Sequence, residues 1–438
     1  MNKNTRKSVR FRSKKVKSFF TGSSLTKYAG LSPIMQYIEK QGIDSYLNSL
    51  FPTRNYNSTK FSNVQILLSI ILASLSGVSH IVKIANFTKD CLVMSLLNLE
   101  RCFNKDVIST RIKNLGQAGA FRLQEYLLAF TRRYLSEVNL NSLTIDADST
   151  VKTVYGNQQG AAKGFNSAKK GALSYHPLLA FASELKIVLN SWFRTGSAYT
   201  SNGICEFIKQ TEAFIPENIK EVFFRADSGF FNGALFDLLE GLEWKYLVKV
   251  KLKNLNSVLT QQEWYDVKGL KNVSMCEFEY TAVSWRKSRR LRAIRTIKKW
   301  IRTEFFGRIL FVPEYEYACY CSNLEGNAFF LHEIYKQRST SETWIEQVKS
   351  QLLAGKTLTD DFHANDILWQ LNVFAYNLSV MMRYRIKQLW RQEHETFRDW
   401  FINLPAKLVK GGRVITAKLY KHYYYKDIWI RFEKVLLA

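Results

Sequence analysis

The stretch from Leu143 to Val250 constrains the fold most, because its hydropathy period changes four times in about one hundred residues. Leu143-Thr144-Ile145-Asp146-Ala147-Asp148 alternates and starts β-branched, the pattern of a strand with one face buried. His176–Ala182 and Lys186–Phe193 follow as two more strand-like runs separated by a short polar break. Ser201–Phe214 has helical spacing, with Ser201 or Asn202 available as its cap. Val222–Ala226 reads as a strand ending at Asp227-Ser228-Gly229, residues 232–241 as a helix, and Tyr246–Val250 as a fifth strand.

Three strands, a helix, a strand, a helix and a strand is the order of a ribonuclease-H-like α/β fold. Its first and fourth strands are neighbours, so residues at their ends meet although far apart in sequence. The flanks read differently. From Ser24 to about Leu135 apolar residues recur at three- and four-residue spacing, predicting an all-α N-terminal region. Within it Asn104–Leu115 reads as a short capped helix with polar and basic outward positions, either a DNA-recognition helix or an ordinary solvated one. Residues 252–330 are β-rich and irregular, and helical spacing returns over Tyr335–Leu353 and from Ala364 to about Trp390. The expected division is a basic flexible arm over 1–22, a helical DNA-binding region over 23–138, a catalytic core over 139–251 and 331–390, a β-rich insertion over 252–330, and a basic C-terminal region over 391–438.

Charge narrows the partner. The 63 Lys and Arg outnumber 37 Asp and Glu for a formal net charge of +26, on a chain whose 46% hydrophobic content supplies a large core. Such a body fits a polyanion. The cations cluster in three places. Lys3, Arg6, Lys7, Arg10, Arg12, Lys14, Lys15 and Lys17 make the arm; Lys407, Lys410, Arg413, Lys418 and Lys421 lie in the tail. The third cluster is Arg286, Lys287, Arg289, Arg290, Arg292, Arg295, Lys298, Lys299 and Arg302, with no acid between Ser284 and Arg302. Trp285 and Trp300 interleave it, placed either to stack on bases or to fill core. The longest mostly apolar run, Val64–Val78, is shorter than the roughly 20 residues of a membrane span and predicts a buried helix. Nucleic acid is therefore the expected partner, with no membrane. Six cysteines are too sparse for a disulfide framework, and Cys319-x-Cys321 reads as two reduced thiols on a strand in an intracellular compartment.

Three carboxylates stand where metal-dependent phosphoryl transfer needs them: Asp148 ending the first strand, Asp227 ending the fourth, and Glu342 in the late helix. Hard divalent ions take oxygen ligands and leave positions for water and phosphate. At about 100° per residue, Tyr335, Arg338, Glu342 and Lys349 share a stripe roughly 60° wide, bordering the apolar stripe of Ile345, Val348 and Leu352. Asp146 lies on the same strand face as Asp148, and Glu346 sits one turn beyond Glu342, so both are alternates. His176, before Pro177, reads as structural.

The spacing Tyr335-x2-Arg338-x3-Glu342-x6-Lys349 resembles the Tyr-Arg-Glu-Lys signature of DDE transposases from bacterial insertion sequences. Asp148-Ser149-Thr150 is similar to their first-aspartate motif and Arg225-Ala226-Asp227-Ser228-Gly229-Phe230 to their second; Tyr155-Gly156 through Tyr175-His176-Pro177 resembles the subgroup called transposase DDE domain group one. The likeness spans roughly residues 140–380, and its Asp-Ser-Thr match favours Asp148 over Asp146. It implies an enzyme that binds the terminal inverted repeats of its element, cleaves the ends and joins them to target DNA. Asp148, Asp227 and Glu342 would hold two Mg²⁺ ions, with Mn²⁺ substituting. Tyr335, Arg338 and Lys349 would grip the DNA backbone, and Arg286, Arg289, Arg290, Arg292, Trp285 and Trp300 would add contacts from the insertion. The implied partners are double-stranded DNA and a second protomer in the synaptic complex, in a bacterial cytoplasm at the nucleoid. The alternatives are an inactive or domesticated DNA-binding relative and another ribonuclease-H-like nuclease. A paired-carboxylate glycosidase on Asp146 and Asp148 is remote, since that chemistry has no use for the cations.

Overall fold

A computed structural model describes residues 17, 18, 20, 22–53, 60–166, 169–412 and 414–437. The arm cations Lys3 to Lys15, and Arg413 of the tail, lie outside the described residues.

Six helices come first: α1 (Leu31–Lys40), α2 (Ile43–Leu50), α3 (Asn63–Leu75), α4 (Ile81–Phe87), α5 (Cys91–Leu96) and α6 (Lys105–Glu137). The apolar run near Val64 is α3, started by a reciprocal Ser62–Gln65 capping box and buried from Ile66 to Leu75. A helix apolar all round belongs inside a protein core, and this one does. Among the described residues no helix is long and apolar enough to cross a membrane. Helix α6 begins at its Asn104 cap as expected but does not stop at Leu115; it kinks at Gly116 (φ 57°, ψ −158°), a conformation open to glycine, and runs on to Glu137.

The sheet follows. Its core strands are β1 (Ser142–Ser149), β2 (Leu178–Ala182), β3 (Ile187–Trp192), β4 (Glu221–Ala226) and β5 (Lys245–Lys249), with α7 (Ile204–Glu212) after β3 and α8 (Gly233–Gly241) after β4. In space they run β3-β2-β1-β4-β5, with β1 antiparallel to β2 and parallel to β4. That order and direction define a ribonuclease-H-like core. Helix α7 starts later than expected. Its cap position is Gly203 at φ 72° with no side-chain bond, not Ser201 or Asn202.

Residues 252–330 extend this same sheet. Strands β6 (Tyr265–Asp266), β7 (Val273–Tyr280), β8 (Arg289–Phe305) and β9 (Arg308–Ser322) add to the free edge of β5, giving nine strands in the order β6-β7-β8-β9-β5-β4-β1-β2-β3. Cys319 and Cys321 are buried free thiols on β9.

The chain then forms α9 (Ala328–Lys336), a 3₁₀ turn (Gln337–Ser339), α10 (Thr340–Glu346), a π turn (Gln347–Gln351) and α11 (Phe362–Tyr384). Almost every side chain of α11 is buried, and it packs on α3, α6 and β3. Asn377 of α11 pairs with both backbone groups of Val188 (2.8 and 2.7 Å), covering the outer edge of β3. Strands β10 (Ala406–Gly411) and β11 (Val414–Leu419) form a small sheet with Leu25–Thr26, and α12 (Lys426–Leu437) closes the described chain. Ala29 N donates to Leu404 O at 3.0 Å, so the first helical segment is sewn to the C-terminal one.

Candidate active site

Parallel pairing of β1 with β4 sets the geometry. Asp146 is opposite Arg225 and Ala147 opposite Ala226, so the next residues, Asp148 and Asp227, come side by side where the β1–β4 pairing ends. Both carboxyls are anchored by local backbone. Ser149 N donates to Asp148 Oδ1 at 2.8 Å, and Gly229 N to Asp227 Oδ1 at 2.9 Å, where Asp227 caps the turn Ser228–Phe230. Both line a cleft of about 760 Å³ together with Tyr335, Arg338 and Glu342.

Within the cleft Arg338 is the electrostatic hub. Its Nη2 lies 2.9 Å from Asp148 Oδ2 and donates to Ala147 O at 3.3 Å, while its buried Nε has no protein partner. Burial opposes its charge, but Asp148 and Tyr335 beside it hold its pKa above the ordinary arginine value. Burial pushes the Asp148 carboxyl up to about 6; Arg338 pulls it down and the neighbouring Asp227 pushes it further up. Burial likewise raises the Tyr335 phenol to about 12. The Tyr335 ring packs 4.9 Å from that of Tyr320, whose hydroxyl lies 2.8 Å from His332 Nδ1.

The alternates separate by environment. Asp146 is fully buried and gripped by Arg225 through two bonds, Nε to Oδ1 at 2.7 Å and Nη2 to Oδ2 at 2.8 Å. Arg225 also donates to Ile334 O (3.1 Å) in the last turn of α9 and to Ser183 Oγ (3.1 Å). Asp146 is thus committed to a clamp beneath the cleft. Glu346 accepts a hydrogen bond from Ser350 and does not line the cleft. His176 is buried, its Nδ1 2.6 Å from Ala198 O and its Nε2 3.1 Å from Ser149 Oγ.

Several expected contacts are placed elsewhere. The 3₁₀ and π turns interrupt the regular helix assumed for Tyr335–Lys349, so Tyr335, Arg338 and Glu342 face the cleft while Lys349, half-buried in the π turn, does not line it. Arg289 is buried against Asp237 (2.5 Å) and Glu240 (2.9 Å), and Arg292 against Glu277 (3.4 Å). Trp285 packs on Phe231, Phe236 and Tyr280 at ring distances of 5.4, 5.7 and 5.7 Å. Arg289 and Trp285 thus tie the insertion to α8 and the turn before it, and Arg292 pairs within the insertion. Arg286, Arg290 and Trp300 are exposed.

Two cations of the cleft, Lys249 and Lys336, escaped the sequence reading. Lys249 ends β5, beside β4, so the strand-end reasoning that picked Asp227 reaches it as well. Among the described residues no three His, Cys, Asp or Glu side chains converge closely enough to hold a metal ion by themselves. Asp227 stands near enough to Asp148 for its charge to raise that carboxyl's pKa, and Glu342 lines the same cleft.

The sequence matches the family described as Transposase DDE domain group 1 over residues 9–437. The chain belongs to this family. It is a DDE transposase, in general terms a DNA-cutting enzyme that works with divalent metal. No curated protein matches it in sequence. It is similar in structure to the piggyBac transposase of a synaptic complex with hairpin DNA, at 10% identity and a TM-score of 0.47, over 84% of this chain and 78% of that one. A Mos1 transposase paired-end complex with left transposon end matches at 10% identity and a TM-score of 0.19, over 44% and 60% respectively. The Mos1 mariner paired-end complex with Mn matches at 10% and 0.18, over 54% and 80%. The ribonuclease-H-like core of this transposase is defined by its own strand order.

Proposed function

We propose that the chain binds the terminal inverted repeats of a bacterial insertion sequence, hydrolyses the DNA at the element's ends and transfers the freed strands to target DNA. The observation that carries the reading is the parallel register of β1 and β4, which sets Asp148 and Asp227 together on a cleft shared with Glu342 and Arg338. The donor set fits a hard divalent cation: all three acids offer oxygen, and burial, with Asp227 beside it, raises the Asp148 pKa and so disfavours a carboxylate charge that a bound cation would stabilise. Mg²⁺ or Mn²⁺ held by Asp148 and Asp227, with Glu342 joining once DNA and ions are present, would supply activation of the attacking oxygen and stabilisation of the leaving one.

The chain's own groups do the rest. Arg338 holds Asp148 in place and, with Lys249 and Lys336, brings positive charge to the scissile phosphate. Tyr335 stays a neutral phenol at physiological pH, a hydrogen-bond donor for a phosphate oxygen. Arg286, Arg290 and Trp300 contact flanking DNA, and Lys349 contributes only if the π turn rearranges. The helical region over 23–138 and the basic segments position the duplex, two protomers pair the two ends, and the enzyme works in the cytoplasm at the nucleoid.

The test is incubation of the full chain with a duplex carrying the element's own ends, with and without Mg²⁺. The expected result is metal-dependent cleavage leaving 3′-hydroxyl ends at the element boundary. Absence of cleavage with both Mg²⁺ and Mn²⁺, under conditions where the duplex is bound, would overturn the reading.

A further inference from the structure

Asp148 and Asp227 each accept a hydrogen bond from a backbone amide, Ser149 N and Gly229 N respectively, and one side chain reaches both of those residues. Thr200 Oγ1 lies 3.1 Å from Ser149 Oγ. The Thr200 methyl group stands over Gly229, where a Cβ would come within 2.9 Å of Thr200 Cγ2. The glycine after Asp227-Ser228 thus leaves the room that Thr200 occupies. Thr200 belongs to a loop, residues 195–203, that is tied down from two sides. Buried Arg194 donates from Nε to His176 O (2.9 Å) and from Nη1 to the carbonyls of Tyr199 (3.2 Å), Thr200 (3.4 Å) and Asn202 (2.8 Å). On the other side the loop meets the glycine-rich stretch, where a Cβ on Gly164 would stand 1.9 Å from Gly196 O.

His176 sets the direction of the hydrogen bonds. Its Nδ1 is 2.6 Å from Ala198 O, and a carbonyl only accepts, so Nδ1 carries the proton. The residue is 3% exposed and burial disfavours a second proton on the ring, so Nε2 is an acceptor. Its donor is Ser149 Oγ at 3.1 Å. Ser149 thereby gives its single hydroxyl proton to His176, so at the contact with Thr200 it accepts and Thr200 donates. The hydrogen bonds run one way, from Thr200 to Ser149 to His176, and return to the loop at Ala198 O.

We propose that Thr200 is a positioning residue for the metal site. Its hydroxyl, oriented through Ser149 by His176, and its methyl on Gly229 brace the two amide donors and so set Asp148 and Asp227 for a shared divalent cation. The inference rests on the metal reading of those two aspartates. Thr200 acts through Ser149 and Gly229 and touches neither substrate nor metal. Groups that orient metal ligands from behind in this way change metal affinity by about 10–100-fold when replaced.

The experiment is a Mn²⁺ titration of the full DNA-free chain, with free Mn²⁺ read by electron paramagnetic resonance and Asp227→Asn as the blank. Thr200→Val keeps the shape and removes the donor, and is expected to raise the Mn²⁺ Kd on the order of tenfold. Thr200→Ser keeps the hydroxyl and should lie nearer wild type. Ser149→Ala breaks the same run of hydrogen bonds and should weaken Mn²⁺ similarly, so the test does not depend on one variant folding. Adding Thr200→Val to Ser149→Ala should weaken binding no further, because the acceptor is already gone. Ser197→Ala, in the same loop with its hydroxyl 3.3 Å from Thr195 Oγ1, should bind Mn²⁺ as wild type does. Unchanged far-ultraviolet spectra show that the variants are folded. Wild-type Mn²⁺ affinity in Thr200→Val or Ser149→Ala, or equal weakening by Thr200→Ser and Thr200→Val, would overturn the positioning role and leave the metal reading standing. Equal Mn²⁺ binding by wild type and Asp227→Asn would overturn the metal reading itself, and this inference with it.

Discussion

Replacing Arg225 with methionine strands the Asp146 carboxylate in a place water does not reach. Asp146 is fully buried, and Arg225 supplies both of its close charge-assisted hydrogen bonds as well as bonds to Ile334 O and Ser183 Oγ. Taking one partner from a buried ion pair costs about 3–5 kcal/mol, because the remaining charge is desolvated and unpaired. The half-exposed pair Arg133–Glu137 on α6 is the internal comparison, worth about 0.2–1 kcal/mol. Urea unfolding at neutral pH should therefore show a large fall in midpoint for Arg225→Met and almost none for Glu137→Gln, at similar slopes. Adding Asp146→Asn to Arg225→Met removes the stranded charge and should recover much of the loss, a coupling that a double-mutant cycle measures. A loss below about 1 kcal/mol for Arg225→Met, or additive losses in the double variant, would refute the clamp.

Two further outcomes follow from charge. With metal chelated, the Asp148 carboxyl is raised from 3.8 to about 6, so the folded chain binds the extra proton; the associated stability is fully present below pH 3.8 and is lost as pH rises through about 6. That loss is about 3 kcal/mol, and Asp148→Asn should flatten this limb in thermal scans taken between pH 4 and 7. Mg²⁺ should accordingly raise the melting temperature more at pH 8 than at pH 5; equal shifts at both would contradict the fit of the cation to this pair. The net charge of +26 predicts that DNA affinity falls steeply and linearly on a log–log plot against salt. A filter-binding affinity insensitive to salt would remove the phosphate-contact account.

How much of this was legible in sequence depended on whether a feature was local. The core strands and their order came from alternation and β-branching, which act within a few residues, and the fold class followed. Tyr335–Leu353 departs from a regular helix because helix arithmetic has no term for a 3₁₀ turn at Gln337–Ser339 or a π turn at Gln347–Gln351; Arg338 and Glu342 line the cleft despite the first, while Lys349, inside the second, does not. The acid-free run from Ser284 to Arg302 looked unpaired because its partners come from other strands and helices. Glu277 and Glu279 on β7, Glu314 on β9, and Asp237 and Glu240 on α8 meet Arg292, Arg290, Lys299 and Arg289 across the sheet. Asp146 and Asp148 share a strand face and differ in depth, and only the register with β4 shows which of them Arg225 meets.

The most direct test is to compare Asp227→Asn with wild type on a duplex carrying the element's ends, following binding and Mg²⁺-dependent cleavage in the same samples. Asp227 lies at the cleft beside Asp148, and its replacement removes a carboxylate charge from the proposed metal site while leaving the cationic surface intact. The account predicts retained end binding with cleavage abolished. Full Mg²⁺-dependent cleavage by Asp227→Asn would contradict it.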